Sequence, residues 1–232
     1  MLKIINANEL NYKYNVNGNF YKVQLENNHV IDCRNVLDIT NKAKTPMNTN
    51  SLLNMIPNAI FIMMNPGGSK LLTDKPKVIQ FKKIDELKIQ FAKTQPDKTQ
   101  YQLMRIMLYT NWSHIRILNL SDLINTYSGD FYYEFNKIEV NHNYHSHSIF
   151  NNSRENEFNT LFKTNENTKV ICAWGVNTKL NPLINQCLDK IKEFNYMGLK
   201  KFGSEDKLFH PLPRRNDKQI EWVNKMLNLI KN

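Results

Sequence analysis

Three polar segments of this sequence combine residue types that can bind and activate a small molecule. Residues 65–68 (NPGG) follow the apolar run 59–64, and Asn119 ends the apolar run 113–118. His210 is followed by two prolines and then by Arg214 and Arg215. A glycine turn lets a ligand approach the backbone, an amide offers both a donor and an acceptor, and a histidine titrates near neutral pH. The alternative interpretation is structural, because an Asn that follows a strand can cap its own turn.

The elements that must position these segments are predicted from hydrophobic patterning. Runs 59–64, 113–118 and 169–174 are apolar on both faces, as in strands buried in a parallel sheet. Helical patterns cover residues 99–109, 156–163, 178–194 and 219–230. This alternation predicts an α/β fold, a three-layer α/β/α domain with a mainly parallel central sheet. Ligands of such sheets bind beyond the carboxyl ends of the strands, where Asn65, Asn119 and Gly175 fall.

The rest of the chain is predicted to be accessory to that sheet. Short β-like runs at 19–24 and 29–33 suggest a hairpin in an N-terminal extension, residues 1–50, packed on the edge of the main domain. Residues 47–56 suggest a short helix, and the polar residues 141–152 a surface loop. Since the chain has no clear linker, we expect a single domain over residues 1–232.

Composition restricts the class of protein. The net charge is +10, from 31 basic and 21 acidic residues, which suits a polyanionic partner such as DNA but also simple solubility. Cys33, Cys172 and Cys187 are odd in number and widely spaced, so neither a disulfide framework nor a metal ligand set is indicated. There is no signal-peptide core and no apolar stretch that spans a bilayer. We therefore expect a cytoplasmic protein without a membrane partner. We also expect it to be a monomer.

The ordered motifs resemble those of the uracil-DNA glycosylase superfamily. Residues 63–67 (MMNPG) resemble its first motif in the thymine-specific branch, GINPG, rather than the Asp-containing form GQDPYH. Residues 117–119 (ILN) resemble the strand that ends in a base-reading Asn, residues 172–175 (CAWG) a later LLWG strand, and residues 210–213 (HPLP) the closing HPSP motif. The chain also resembles uncharacterised bacterial proteins with an MLNPS-type turn, an NLF-type strand end and an AWG turn.

The resemblance implies a cofactor-independent, monofunctional glycosylase that flips uracil out of DNA and hydrolyses its N-glycosidic bond. It implies that Asn65 positions the attacking water, that Asn119 reads the base edge, and that His210 stabilises the departing base. Pro66 and Gly67 would line the base pocket. Because Gly67 stands where the Asp-containing enzymes have a Tyr that excludes the thymine methyl, 5-substituted uracils become possible substrates. An amide is not a general base, so turnover is expected to be slow.

Further roles are expected for an aromatic and for cations around this site. Phe81 is the nearest candidate for the aromatic that stacks on the base. Arg214 follows HPLP and is expected to fill the gap left by the flipped base. The expected phosphate contacts are Arg215, Lys70 and Lys218 in single- or double-stranded DNA.

Two other groups of residues have structural interpretations. His142, His145 and His147 lack an acidic or Cys partner in the same run, so we favour a solvated or DNA-facing loop over a metal site. Asp97 and Thr99 resemble a helix cap more than catalytic groups.

Two alternatives to the glycosylase remain. One is a catalytically weak or inactive glycosylase-like DNA-binding protein. The other is an unrelated α/β protein that binds a nucleotide at the NPGG turn.

Overall fold

The computed structural model describes residues 5–26, 28–45, 49–72 and 76–231, and nine of its strands form one sheet. The strands are β1 (Tyr14–Gln24), β2 (Val30–Asn41), β3 (Ala59–Met63), β4 (Lys70–Leu71), β5 (Lys77–Gln80), β6 (Ala92–Gln95), β7 (His114–Asn119), β8 (Lys169–Cys172) and β9 (Tyr196–Met197). The α-helices are α1 (Ala7–Lys13), α2 (Thr49–Leu52), α3 (Lys98–Thr110), α4 (Ser128–His142), α5 (Glu155–Leu161), α6 (Asn181–Ile191) and α7 (Asn216–Lys231).

The sheet is mixed, with strand order β4-β6-β1-β2-β7-β3-β8-β9 and with β5 paired to β1. Strands β7, β3, β8 and β9 run parallel to one another, whereas β2 is antiparallel to both β1 and β7. The α/β class is therefore confirmed, but a mainly parallel sheet is not. The parallel arrangement predicted from runs 59–64, 113–118 and 169–174 holds for the half of the sheet that those runs build.

Helices cover both faces of this sheet. Alternation along β3 sends Ile60 and Ile62 to one face, against apolar residues of α4, α5 and α6. It sends Phe61 and Met63 to the other face, against α1, α3 and α7. Since each face buries its own apolar cluster, β3 needs apolar side chains on both sides, which explains its unbroken run. None of the helices in the described part of the chain is long and apolar enough to cross a membrane.

The N-terminal hairpin is longer and more central than predicted. Strands β1 and β2 pair over their whole lengths, and β2 pairs with β7, so the hairpin is built into the sheet rather than packed on its edge. The sequence obscures this because β1 alternates Asn with apolar residues and its Asn side chains are buried. Asn19, for example, donates to Oδ1 of Asn35 and accepts from the backbone N–H of Gln90.

The helices predicted at 99–109, 156–163 and 219–230 are confirmed as α3, α5 and α7, and 178–194 as a 3-10 turn followed by α6. The helix predicted at 47–56 appears as α2, although residues 47 and 48 lie outside the described residues. Helix α4 was not predicted, even though Phe131, Phe135 and Ile138 follow helical spacing on its buried side. The three cysteines are buried free thiols.

The polar segment 141–152 is not a surface loop. Helix α4 extends to His142, and His147, Ser148, Ile149 and Phe150 are fully buried. The segment is buried despite its polarity because its polar groups find partners in the protein interior: Nδ1 of His147 lies 2.8 Å from Oγ of Ser121.

A buried ion pair joins the hairpin to the parallel half. Arg116 on β7 donates from Nε and Nη2 to the two carboxylate oxygens of Asp38 on β2, at 2.9 and 2.8 Å. Arg116 also donates to the backbone carbonyls of Leu52 and Leu161, and Nε2 of His114 lies 2.9 Å from Oδ2 of Asp38. Burial alone would raise the pKa of Asp38, but the two basic neighbours lower it below its usual value.

Asp38→Ala is therefore expected to lower the free energy of unfolding by about 3–5 kcal/mol, because it leaves the Arg116 charge buried without its partner. Urea unfolding at pH 7 measures this change. Asp32→Ala is the matched control, because Asp32 pairs with Lys22 at the surface and its loss should cost less than about 1 kcal/mol. Equal losses in the two variants would contradict the importance given to the buried pair.

Candidate active site

A cleft of about 830 Å³ lies beyond the carboxyl ends of the parallel strands. It forms there because β3 pairs in register with β7 and β8, with Met63 opposite Asn119 and Ile62 opposite Cys172. The turns after these strands are thereby brought to one edge. Of the residues predicted for the site, Asn65, Gly67, Asn119, His210 and Arg214 line this cleft.

The side chain of Asn65 has one defined orientation. Its Nδ2 lies within hydrogen-bond distance of the backbone carbonyls of Pro66, Leu123 and Asn125, at 3.0, 3.2 and 2.8 Å. Carbonyls only accept hydrogen bonds, so the amide nitrogen must face them and Oδ1 is left as the acceptor for a ligand or a water. Asn65 therefore both fastens the 123–125 segment and presents an oxygen at the cleft.

Asn119 presents an unused donor. Its side chain is only 1% exposed, and its Nδ2 has no hydrogen-bond partner among the described residues. A buried donor without a partner costs about 1–3 kcal/mol, so it marks a position that a ligand acceptor would satisfy. The strand end at residue 119 thus carries a polar group that the described residues leave unsatisfied.

His210 is held neutral with a defined tautomer. Burial lowers the pKa of His210 to about 4, and the Asp97 carboxylate opposes this only partly. The backbone N–H of Leu212 donates to Nδ1 at 3.2 Å, so the proton of the neutral ring is on Nε2. The ring accordingly offers a neutral N–H donor at physiological pH.

Asp97 has two roles, of which the sequence indicated only one. It is the N-cap of α3, as predicted, with Oδ1 accepting from the backbone N–H groups of Thr99 and Gln100 at 2.9 and 3.2 Å. The residue also lines the cleft, and a Cβ built on Gly67 would lie 2.8 Å from its Oδ2. Glycine at position 67 thus leaves room for this carboxylate at the edge of the cleft.

Arg34 is a further residue that the sequence did not indicate. It is 2% exposed, lines the cleft, donates from Nη1 to Oγ of Ser69, and has no partner for Nε among the described residues. Burial lowers its pKa to about 10, opposed by the carboxylates of Asp97 and Asp122. The available local signal was a charged residue directly after the predicted run 29–33, and a charged residue in such a position is usually exposed.

Other predicted site residues lie elsewhere. Phe81 does not line the cleft; it packs edge-on against Tyr144, with ring centroids 5.9 Å apart. The aromatic residues at the cleft are instead Tyr127, Tyr132 and Trp174, two of which lie at the unpredicted start of α4. Pro66 takes part through its carbonyl, which accepts from Asn65 and from the backbone N–H of Asn125.

The expected phosphate contacts are dispersed. Arg214 is exposed and lines the cleft. Lys70 is exposed on β4, and Arg215 forms an ion pair with Asp217. Lys70 and Arg215 both lie outside the cleft. Lys218 pairs with Glu221 and lines a second groove, of which His210 is also part.

The histidine-rich segment forms no metal site in the described part of the chain, where no group of three or more His, Cys, Asp or Glu side chains is arranged for an ion. His147 instead bridges Ser121 and Glu139, with Nε2 at 2.9 Å from Oε1 of Glu139. Ser121 is fully buried, so this Ser–His–Glu series is a structural chain and not a nucleophile presented to a substrate.

The surroundings of Asn65 predict that Asn65→Asp destabilises the protein at pH 7 by about 1–3 kcal/mol, because a carboxylate would face three carbonyl oxygens. The same repulsion raises the folded-state pKa of the introduced carboxyl. The loss should therefore be small near pH 4 and grow as the pH rises through the ordinary Asp pKa of about 3.9. Urea unfolding at several pH values tests this.

Asn6→Asp is the control for that substitution. Oδ1 of Asn6 accepts from the backbone N–H of Glu9 at the start of α1, and a carboxylate can replace it. We expect a change within about 0.5 kcal/mol. If Asn65→Asp is as well tolerated as Asn6→Asp, the orientation assigned to Asn65 is wrong.

The pKa of His210 makes a separate prediction. Its Cε1–H resonance, assigned by its loss in His210→Gln, should not titrate between pH 8 and pH 5.5. Because the unfolded-state pKa is about 6.5, this histidine contributes full stability above that pH and progressively less as the pH falls toward 4. His210→Gln should remove that part of the pH dependence. A midpoint near 6.5 for this resonance would show that the ring is not buried as described.

Comparison with known proteins places the chain in a family. Residues 90–212 match the family described as "Protein of unknown function (DUF1643)". No curated protein and no solved structure matches the chain. The matched region contains Asp97, Asn119 and His210, while Arg34 and Asn65 precede it. Since the match covers more than half of the chain, the protein belongs to the DUF1643 family.

Proposed function

We propose that the protein is a monofunctional DNA glycosylase that hydrolyses the N-glycosidic bond of uracil, or of a 5-substituted uracil, without a cofactor. One observation carries the proposal: Asn65, Asn119 and His210, far apart in the sequence, line the same cleft. The motif resemblance assigns complementary roles in this reaction to those three residues. The parallel strands that end at the cleft also suit a glycosylase-like fold, and we propose that the protein acts as a cytoplasmic monomer.

Base recognition is assigned to Asn119. The free Nδ2 would donate to a carbonyl of a flipped uracil, and the amide oxygen would accept from its N3–H. Cytosine carries the opposite pattern along this edge and would be rejected. Binding of uracil also removes the cost of the unsatisfied donor, which favours occupation of the pocket.

Stabilisation of the departing base is assigned to His210. Cleavage leaves the electron pair of the C1′–N1 bond on the base, and negative charge develops on its carbonyl oxygens. A neutral imidazole with its proton on Nε2 donates to such an oxygen, and its fixed orientation avoids reorganisation during the reaction.

Activation of water is assigned to Asn65 and Asp97 together. Oδ1 of Asn65 would accept one hydrogen bond from the water, while the Asp97 carboxylate would take its proton as the water oxygen bonds to C1′. The negative charge of Asp97 also opposes the positive charge that builds on the sugar. This arrangement supplies the general base that an Asn in the first motif lacks, so turnover need not be slow.

A phosphorylated small molecule is the second candidate ligand, and Arg34 is the observation that favours it. This guanidinium is buried at the cleft with Nε unpartnered, as a site for an anionic group would require. Such a nucleotide-binding protein would bind its ligand in the absence of DNA and would not depend on His210. In the glycosylase, Arg34 would instead hold a phosphate next to the flipped nucleotide.

The decisive assay uses single- and double-stranded oligonucleotides with one uracil or one 5-substituted uracil, followed by alkali. Wild-type protein should generate alkali-labile sites. His210→Ala and Asp97→Asn should each slow their formation by roughly 100-fold or more. Asp97→Asn is informative because Asn is an equally good helix N-cap, so the start of α3 keeps its hydrogen bonds while the cleft loses a charge.

Asp189→Asn is the matched control, since Asp189 is an exposed carboxylate of α6 outside the cleft. Its rate should equal that of wild type. Binding of DNA without scission of any tested base would support the inactive DNA-binding alternative. Absence of both binding and scission would refute the glycosylase and leave the phosphorylated ligand.

A further inference from the structure

A hairpin beside the cleft carries a fully exposed phenylalanine at its tip. Residues 199–209 fold back on themselves, with the N–H of Lys201 bonded to the carbonyl of Lys207 and that of Phe209 to the carbonyl of Leu199, both at 2.8 Å. Gly203 closes the turn with a φ of +73°, and Phe202 next to it is 102% exposed. One exposed Phe is ordinary on a surface, so its surroundings decide what it means.

A groove of about 410 Å³ connects this hairpin to the candidate active site. Apolar residues, among them the 44% exposed Phe209, line the groove together with Lys200, Lys218 and Lys225. His210 lines both the cleft and the groove, and Lys200 lines both the groove and the small pocket at the hairpin tip. The groove therefore borders the cleft at His210 and the hairpin tip at Lys200.

Positive charge accompanies the two aromatic residues along this path. Lys218 and Lys225 share the single carboxylate of Glu221, and Lys200 pairs with Glu205 at the turn. These ion pairs are solvent-exposed and therefore weak, so phosphates can take the place of the carboxylates. Lys201 adds a further cation next to Phe202.

We propose that a basic aromatic strip, made up of Phe202, Phe209, Lys200, Lys201, Lys218 and Lys225, binds a single DNA strand as it leaves the cleft. Phe202 and Phe209 would stack on bases while the lysines neutralise phosphates, the combination by which proteins hold single strands without sequence preference. A duplex hides its base faces within the stack, so the strip favours unpaired DNA. This deepens the proposed function, because it names the preferred form of the substrate and where the strand runs.

Fluorescence anisotropy with a labelled, undamaged oligothymidylate of about twelve nucleotides tests the strip without requiring any chemistry. Phe202→Ala should weaken binding by roughly 10-fold, and Phe209→Ala by a similar factor. Phe202 is fully exposed, so its removal leaves the fold intact even if Phe209→Ala is less stable. Tyr12→Ala is the control, because Tyr12 is 82% exposed on α1 and outside both the cleft and the groove.

The salt dependence gives an independent measurement. Lys225→Gln should reduce the slope of log Kd against log salt by about 0.7, as expected when one phosphate contact to a single strand is lost. The proposed DNA-binding role of the strip would be overturned if Phe202→Ala bound with unchanged affinity or if Tyr12→Ala lost as much affinity. Absence of binding by the wild-type protein would also overturn it. Suppose that Phe202→Ala loses binding but the wild-type protein cleaves no uracil substrate. That result would support the DNA-binding role of the strip and would refute the proposed glycosylase activity.

Discussion

The buried pair of Asp38 and Arg116 is the interaction on which the arrangement of the molecule depends. Strand β2 belongs to a long antiparallel hairpin, whereas β7 belongs to a parallel unit, and only four register pairs join them. A bidentate ion pair at that junction is compatible with only one register of β2 against β7, because a shifted register would leave two charges buried and unpaired. It thereby fixes Arg34, carried by β2, relative to Asn119, at the end of β7.

Once this junction is fixed, the polar groups of the cleft acquire their orientations from backbone atoms. The carbonyls around Asn65 orient its amide, and the N–H of Leu212 selects the tautomer of His210. Asp97 is held in the same way by the first turn of α3. Side chains fixed before a ligand arrives lose little entropy on binding and can stabilise charge as it develops. The cleft is preorganised although most of its residues lie in turns.

The electrostatics of the cleft are equally specific. A neutral histidine, a carboxylate and a buried guanidinium share one space, and each offers a different interaction to a nucleotide. Burial keeps His210 uncharged, so Asp97 is not neutralised by an adjacent imidazolium. Beyond the cleft, the basic aromatic strip extends the positive surface. In the proposed glycosylase, a flipped base, its sugar and the strand that carries it would meet separate parts of the protein.

The sequence by itself determined the three buried parallel strands, the helices α3, α5, α6 and α7, and the nomination of Asn65, Asn119 and His210, because apolar runs, helical periodicity and strand-ending turns are local signals. Tertiary structure alone decided the central place of the hairpin, the burial of segment 141–152, and the entry of Arg34 and Asp97 into the cleft. Arg34 and the polar residues of segment 141–152 are buried against partners distant in the chain, whereas Asp97 has local hydrogen bonds and reaches the cleft through the placement of α3. Local hydrophobicity cannot indicate burial that depends on such partners.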